Sequence, residues 1–160
     1  MSLKTSIKQT PALFKLIDQK HGWEKGTINL DIGAGKFFEA SKYLEDRGVY
    51  NIKYDINLLT ADTVLGILTK IEPTTATIAN VLNVIPKRSD RIKLLEFVDK
   101  QIYLTSNNFI GISVYAGNGS KKRSGFQNNK PLSAYISEIE EVFGDHNIKK
   151  ISSNSVLIKL

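Results

Sequence analysis

Residues 27–36, Thr27-Ile28-Asn29-Leu30-Asp31-Ile32-Gly33-Ala34-Gly35-Lys36, narrow the possible folds more than any other stretch. Ile28, Leu30 and Ile32 have the apolar and β-branched character of a buried strand, and Gly33 and Gly35 permit backbone angles that a Cβ would resist. A helix is expected next. A strand, a glycine turn and a helix N-terminus bring backbone N–H groups and the positive end of a helix dipole to one place, where polar ligands gather. The turn also has a purely steric reading, because tight strand-to-helix connections need glycine. Asp31 favours the ligand reading: it stands two residues before the first glycine, at the C-terminal end of the strand, where open α/β sheets bind their ligands.

The order acidic residue, x, Gly, x, Gly resembles the first motif of the class I methyltransferases, which use S-adenosylmethionine (AdoMet). It is less similar to the dinucleotide fingerprint G-x-G-x-x-G. The third glycine of either pattern is missing: Phe37 stands at the methyltransferase position and Phe38 at the dinucleotide position. The resemblance implies that Asp31, Ile32, Gly33, Ala34, Gly35 and Lys36 approach the cofactor, with Asp31 and Lys36 meeting its amino and carboxylate groups.

Residues 49–54 read as a second strand ending in Asp55, 24 residues after Asp31. An acidic side chain at that tip can accept hydrogen bonds from both ribose hydroxyls, at the interval of roughly 20 residues that the geometry requires. The competing role for Asp55 is a turn residue. Ile56 and Asn57 follow, placed to touch the adenine face and edge.

Periodicity predicts a helix over 58–70, stopped by Glu72-Pro73, and a buried parallel strand in the stretch 75–86 with polar residues at its C-terminal mouth. Asn80-Val81-Leu82-Asn83 in that stretch is similar to the fourth motif region of class I methyltransferases, in the form found in small phage and bacterial methyltransferase-like proteins. The resemblance implies that Asn80 faces cofactor or substrate and that Val81 and Leu82 border the cleft; Asn83 joins them as a substrate candidate. The interval 56–74 is too short for a further helix, strand and helix. The expected fold is therefore α/β, a three-layer Rossmann-like methyltransferase fold with a mostly parallel sheet that lacks the usual third strand. Such an exposed sheet edge can pair with a second copy.

A helix over 10–20, with Thr10 as N-cap and Pro11 at its first position, precedes the first strand, and Lys4, Thr5, Lys8 and Gln9 ahead of it are available to cover the cleft. Ser89 or Asp90 is expected to cap a helix carrying Ile92, Leu95, Val98 and Ile102. Residues 108–115 read as a strand, Leu132 to Phe143 as a helix ending at Gly144, and 147–152 with 155–160 as a terminal antiparallel hairpin, again similar to the methyltransferase ending.

Residues 116–131 contain three glycines, four positive charges and no negative one. They form a basic loop at the C-terminal edge of the sheet. Lys121, Lys122, Arg123 and Lys130 can contact phosphates and Phe126 can stack on a base, while Tyr115 and Gln127 are candidate pocket residues. Solvation alone also accounts for such a loop.

The chain has 160 residues, enough for a single domain with an N-terminal helical segment over 1–26, and a formal charge of +6. It contains no cysteine, which excludes thiolate catalysis, including the thiol-adduct route to cytosine-C5 methylation, and two distant histidines, His21 and His146, make no metal site. No apolar run approaches the roughly 18 residues that span a bilayer, and no signal-peptide pattern is present, so a cytoplasmic setting is expected. The Asp/Asn-Pro-Pro-Tyr/Phe tetrapeptide of many amino-methylating DNA enzymes is missing. The expected function is AdoMet-dependent methyl transfer, with nucleic acid the favoured acceptor. The alternative is a non-catalytic AdoMet-binding or nucleic-acid-associated module, such as a phage accessory protein, and a nicotinamide-dependent oxidoreductase ranks third.

Overall fold

The structure, a computed structural model, describes residues 8–55, 70–117 and 129–160. In chain order they form α1 (Ala12–Lys20), β1 (Ile28–Ile32), α2 (Glu39–Glu45), β2 (Tyr50–Tyr54), β3 (Thr75–Ala79), α3 (Arg88–Gln101), β4 (Phe109–Ser113), α4 (Ile136–Phe143), β5 (Ile148–Ser152) and β6 (Ser155–Lys159). The six strands make one sheet in the order β2-β1-β3-β4-β6-β5. β1 to β4 run parallel, and the C-terminal hairpin adds β6 antiparallel to β4 and β5 antiparallel to β6.

Side chains alternate across this sheet, and the register sorts them into two faces. Leu30, Ile32, Ile52, Ala76, Ile78, Ile110, Ile112, Val156 and Ile158 pack with Leu95 and Val98 of α3 and Ile139 and Phe143 of α4. On the other face, Leu13, Phe14 and Ile17 of α1 and Leu44 of α2 pack with Phe109 and Leu157. Gly111 makes the second contact possible, since a Cβ there would come within 2.7 Å of Ile17 Cδ1. Helices therefore cover both faces of the sheet.

The elements depart from the sequence expectations mainly at their ends. Thr10 does not cap α1: Pro11 holds that position, and the Thr10 hydroxyl donates to the Glu39 carbonyl oxygen at 3.3 Å, tying the N-terminal segment to α2. Lys87 precedes α3, so Ser89 and Asp90 fall inside its first turn. The strand in 75–86 stops at Ala79, because Asn80 takes φ 59° and breaks the extended run; one 3-10 turn, Leu82–Val84, follows. The predicted helix over 58–70 lies outside the described residues except at its last position.

Candidate functional site

The chain reverses its direction of travel across the sheet between β1 and β3. β2 is added on one side of β1 and β3 on the other. The connection after β1 leads to α2 on one face, and the connection after β3 leads to α3 on the opposite face. Loops that diverge in this way leave a crevice at the C-terminal ends of the two strands, the usual binding position on an open α/β sheet. A cleft of about 510 Å³ lies there.

Of the residues singled out from sequence, Asp31, Ile32, Gly33, Ala34, Asp55, Asn80 and Val81 line this cleft. They come from three segments far apart in the chain. Gly35, Lys36, Leu82, Asn83 and Tyr115 do not line it. Gly35 is buried inside the turn, Lys36 is exposed with its ammonium 5.1 Å from the Phe37 ring, and Leu82 and Asn83 are buried beneath the loop. Tyr115 is exposed. Ile56, Asn57, Lys121, Lys122, Arg123, Phe126 and Gln127 lie outside the described residues, as does the side chain of His146.

The glycine turn is held closed by its own neighbours. Gly33 N–H donates to the Tyr54 carbonyl at 2.7 Å, Ala34 N–H to the same oxygen at 3.4 Å, and Gly35 N–H to Asp55 Oδ2 at 2.9 Å. The expectation of bare N–H groups awaiting a ligand therefore does not hold at these three positions: the second strand and its terminal aspartate already use them. Steric need for glycine is also evident. Gly33 has φ +70°, and a Cβ on it would sit 2.4 Å from Val81 Cγ2.

Asp31 is buried among polar side chains that cross three strands. The register places Asn29 beside Asn51 and Thr75, and Asp31 beside Lys53 and Thr77. Thr75 Oγ1 donates to Asn29 Oδ1 at 2.9 Å, and Asn29 Nδ2 donates to Asn51 Oδ1 and Thr77 Oγ1, each at 2.9 Å. Asn51 Nδ2 then donates to Asp31 Oδ2 at 3.1 Å and to Ser41 Oγ at 3.1 Å, and Thr77 Oγ1 donates to Asp31 Oδ1 at 3.3 Å. Burial pushes the Asp31 carboxyl up to about 7, opposed by the hydrogen bonds from Asn51 and Thr77 and by the nearby Lys53 charge.

The remaining walls were not assigned from sequence, apart from Gln9. Phe37, Tyr54, Val84, Ile85, Leu94 and Phe97 supply apolar surface, and Gln9 and Pro11 close the side toward α1. Glu39, Asp90 and Lys93 bring further charge. Among the described residues the charged lining thus comprises four carboxylates and a single ammonium. Glu39 Oε2 is buried and has no hydrogen-bond partner among the described residues. The α3 residues carried a usable signal, since Asp90, Lys93, Leu94 and Phe97 recur at helical spacing, but nothing in their types points to a ligand.

Among the described residues no cluster of histidine and carboxylate side chains could hold a metal ion, and no helix is long and apolar enough to cross a membrane. The chain matches no protein-family model and shows no significant similarity to a curated protein.

Proposed function

We propose that the cleft binds AdoMet and that the protein is a methyltransferase of the Rossmann-like class, its sheet shortened by the usual third strand at the β2 edge. The observation that carries this reading is the charge of the cleft combined with the closed turn. A dinucleotide cofactor would bring its pyrophosphate to a turn whose Gly33, Ala34 and Gly35 donors are engaged, and into the field of Asp31, Glu39, Asp55 and Asp90. AdoMet instead brings a sulfonium and an ammonium. Carboxylates on the floor and wall attract both, and the unpartnered Glu39 Oε2 has the acceptor character that a cationic N–H group needs.

AdoMet supplies an activated methyl group on sulfur, which an in-line nucleophile displaces. The chain's own residues then act by binding and alignment. Asp31 and Glu39 hold the cationic end, Asp55 stands at the tip of β2 where ribose hydroxyls would meet it, and Phe37, Tyr54, Leu94 and Phe97 exclude water around the adenosyl group. The acceptor we favour is nucleic acid: β4 ends at the sheet edge that holds the cleft, and the stretch 116–131 that follows it in sequence carries four positive charges and no negative one, a composition suited to phosphates.

One observation favours the alternative of a binding module without turnover. Phe37, at the position of the missing third glycine, lines the cleft itself and puts a large ring where the family pattern has none. Calorimetric titration with AdoMet, S-adenosylhomocysteine and NAD tests the cofactor; micromolar binding of the first two without the third is expected. Transfer of labelled methyl groups to DNA, RNA or protein separates enzyme from module, and AdoMet binding with no transfer to any of them would establish the module.

A further inference from the structure

The buried side chains beneath the cleft form a ladder with one donor sense. Thr75 donates to Asn29, Asn29 donates to Asn51 and Thr77, and those two donate to the two oxygens of Asp31. Asp31 ends the ladder as an acceptor at both oxygens, which is the hydrogen-bonding pattern of an ionised carboxylate. A proton on Asp31 would need an acceptor. Thr77 could take it only by turning its hydroxyl hydrogen away, and Asn51 only by turning its amide, which would set two donors, its own Nδ2 and that of Asn29, against each other.

We propose that Asn51 and Thr77 are positioning residues that hold Asp31 as an acceptor-only anion on the cleft floor, so that the cationic group of the ligand is bound only while the ladder keeps this donor sense. The proposal rests on the AdoMet reading for its ligand and on the hydrogen bonds alone for its effect on Asp31.

Among the described residues, the charged groups around Asp31 come from three sides. β2 brings Lys53, and Asp55 follows that strand. α2 brings Glu39 and α3 brings Asp90 and Lys93, all three on the cleft. β3 contributes Thr75, Thr77 and Ala79 to this face, and the segment before α1 contributes Gln9, Thr10 and Pro11, none of them charged.

The test follows the Asp31 carboxyl carbon by NMR across about pH 5 to 9 in the ligand-free protein, and AdoMet affinity over the same range. Thr77→Val removes a donor to the carboxylate and should raise the Asp31 midpoint by about one pH unit, while Thr77→Ser should restore it. Affinity at pH 7 should fall about five-fold with the ionised fraction. 5′-Methylthioadenosine, which lacks the ammonium, should bind equally well in both proteins. Asn51→Ser is the second variant, with the same expected direction should Thr77→Val fail to fold. A folded variant whose midpoint stays at the wild-type value overturns the proposal, as does a raised midpoint with unchanged AdoMet affinity at pH 7. Wild type that titrates as described yet binds no AdoMet overturns the functional reading beneath it, a separate failure because the titration is read without ligand.

Discussion

Asp55 Oδ2 accepts a hydrogen bond of 2.9 Å from the Gly35 backbone N–H, so the aspartate at the tip of β2 clasps the turn that follows β1. The two strands are neighbours in the sheet, and this contact holds their C-terminal ends together. Asp55 thus has a structural duty beside any contact with a ligand.

Replacing it should therefore change stability as well as binding. Asp55→Ala leaves a buried N–H without its acceptor and should cost about 1–3 kcal/mol, read as a lower urea midpoint with unchanged slope. Asp55→Asn keeps an acceptor oxygen and should lose less than half of that. Equal losses in the two variants would show that the Gly35 contact contributes little.

Gly33→Ala meets two obstacles, the positive φ of +70° and a Cβ that would approach Val81 Cγ2 to 2.4 Å. The expected destabilisation is about 2–3 kcal/mol. The double variant Gly33→Ala/Val81→Ala should recover the steric part and retain the backbone part, about 1–2 kcal/mol. A double variant no more stable than the sum of the two singles would place the whole cost in the backbone.

The Asp31 carboxyl is raised from 3.8 to about 7, so the folded protein binds a proton that the unfolded chain releases between those values. Stability should fall as pH rises from about 4 to about 7 and then level off as far as this group is concerned. Asp31→Asn, which cannot ionise, should flatten that part of the profile. Chemical denaturation at several pH values checks this, and parallel profiles for the two proteins would refute it.

Arg91 and Glu138 join α3 to α4 through two hydrogen bonds, of 2.8 and 2.6 Å, and both side chains are nearly buried, at 11% and 4% exposure. Arg91 Nη1 also donates to the carbonyls of Ile85 and Pro86, which anchors the cleft-lining loop. Glu138→Ala leaves a largely buried guanidinium without its anion and should cost about 3–5 kcal/mol. Glu141→Ala removes the exposed partner of Arg88, and should cost less than about 1 kcal/mol. Thermal unfolding of the two variants side by side measures the contrast.

The core of the fold was legible wherever burial imposes a period. Ile28, Leu30 and Ile32, and the pairs Leu13 with Ile17 and Leu95 with Val98, stand out because one side of each element is apolar. The ladder was not legible in the same way. Asn29, Asn51, Thr75 and Thr77 are ordinary polar residues in their own segments, and only the register of β2, β1 and β3 turns them into one network. The same holds for Phe97 and Lys93, which read as parts of an amphipathic helix until α3 is laid along the cleft.

Local chemistry in the chain determined the strand, the glycine turn, the helices and the closing hairpin, because backbone angles and hydrophobic period act over a few residues and need no distant partner. Tertiary structure decided which groups meet. It gave the N–H groups of Gly33, Ala34 and Gly35 to Tyr54 and Asp55, buried Asp31 beneath Asn51 and Thr77, and set four carboxylates around one cleft. Hydrogen-bond partnership, desolvation and charge density depend on distances between segments far apart in the chain, such as Asp31 and Lys93, 62 positions apart, and those distances exist only once the sheet has formed.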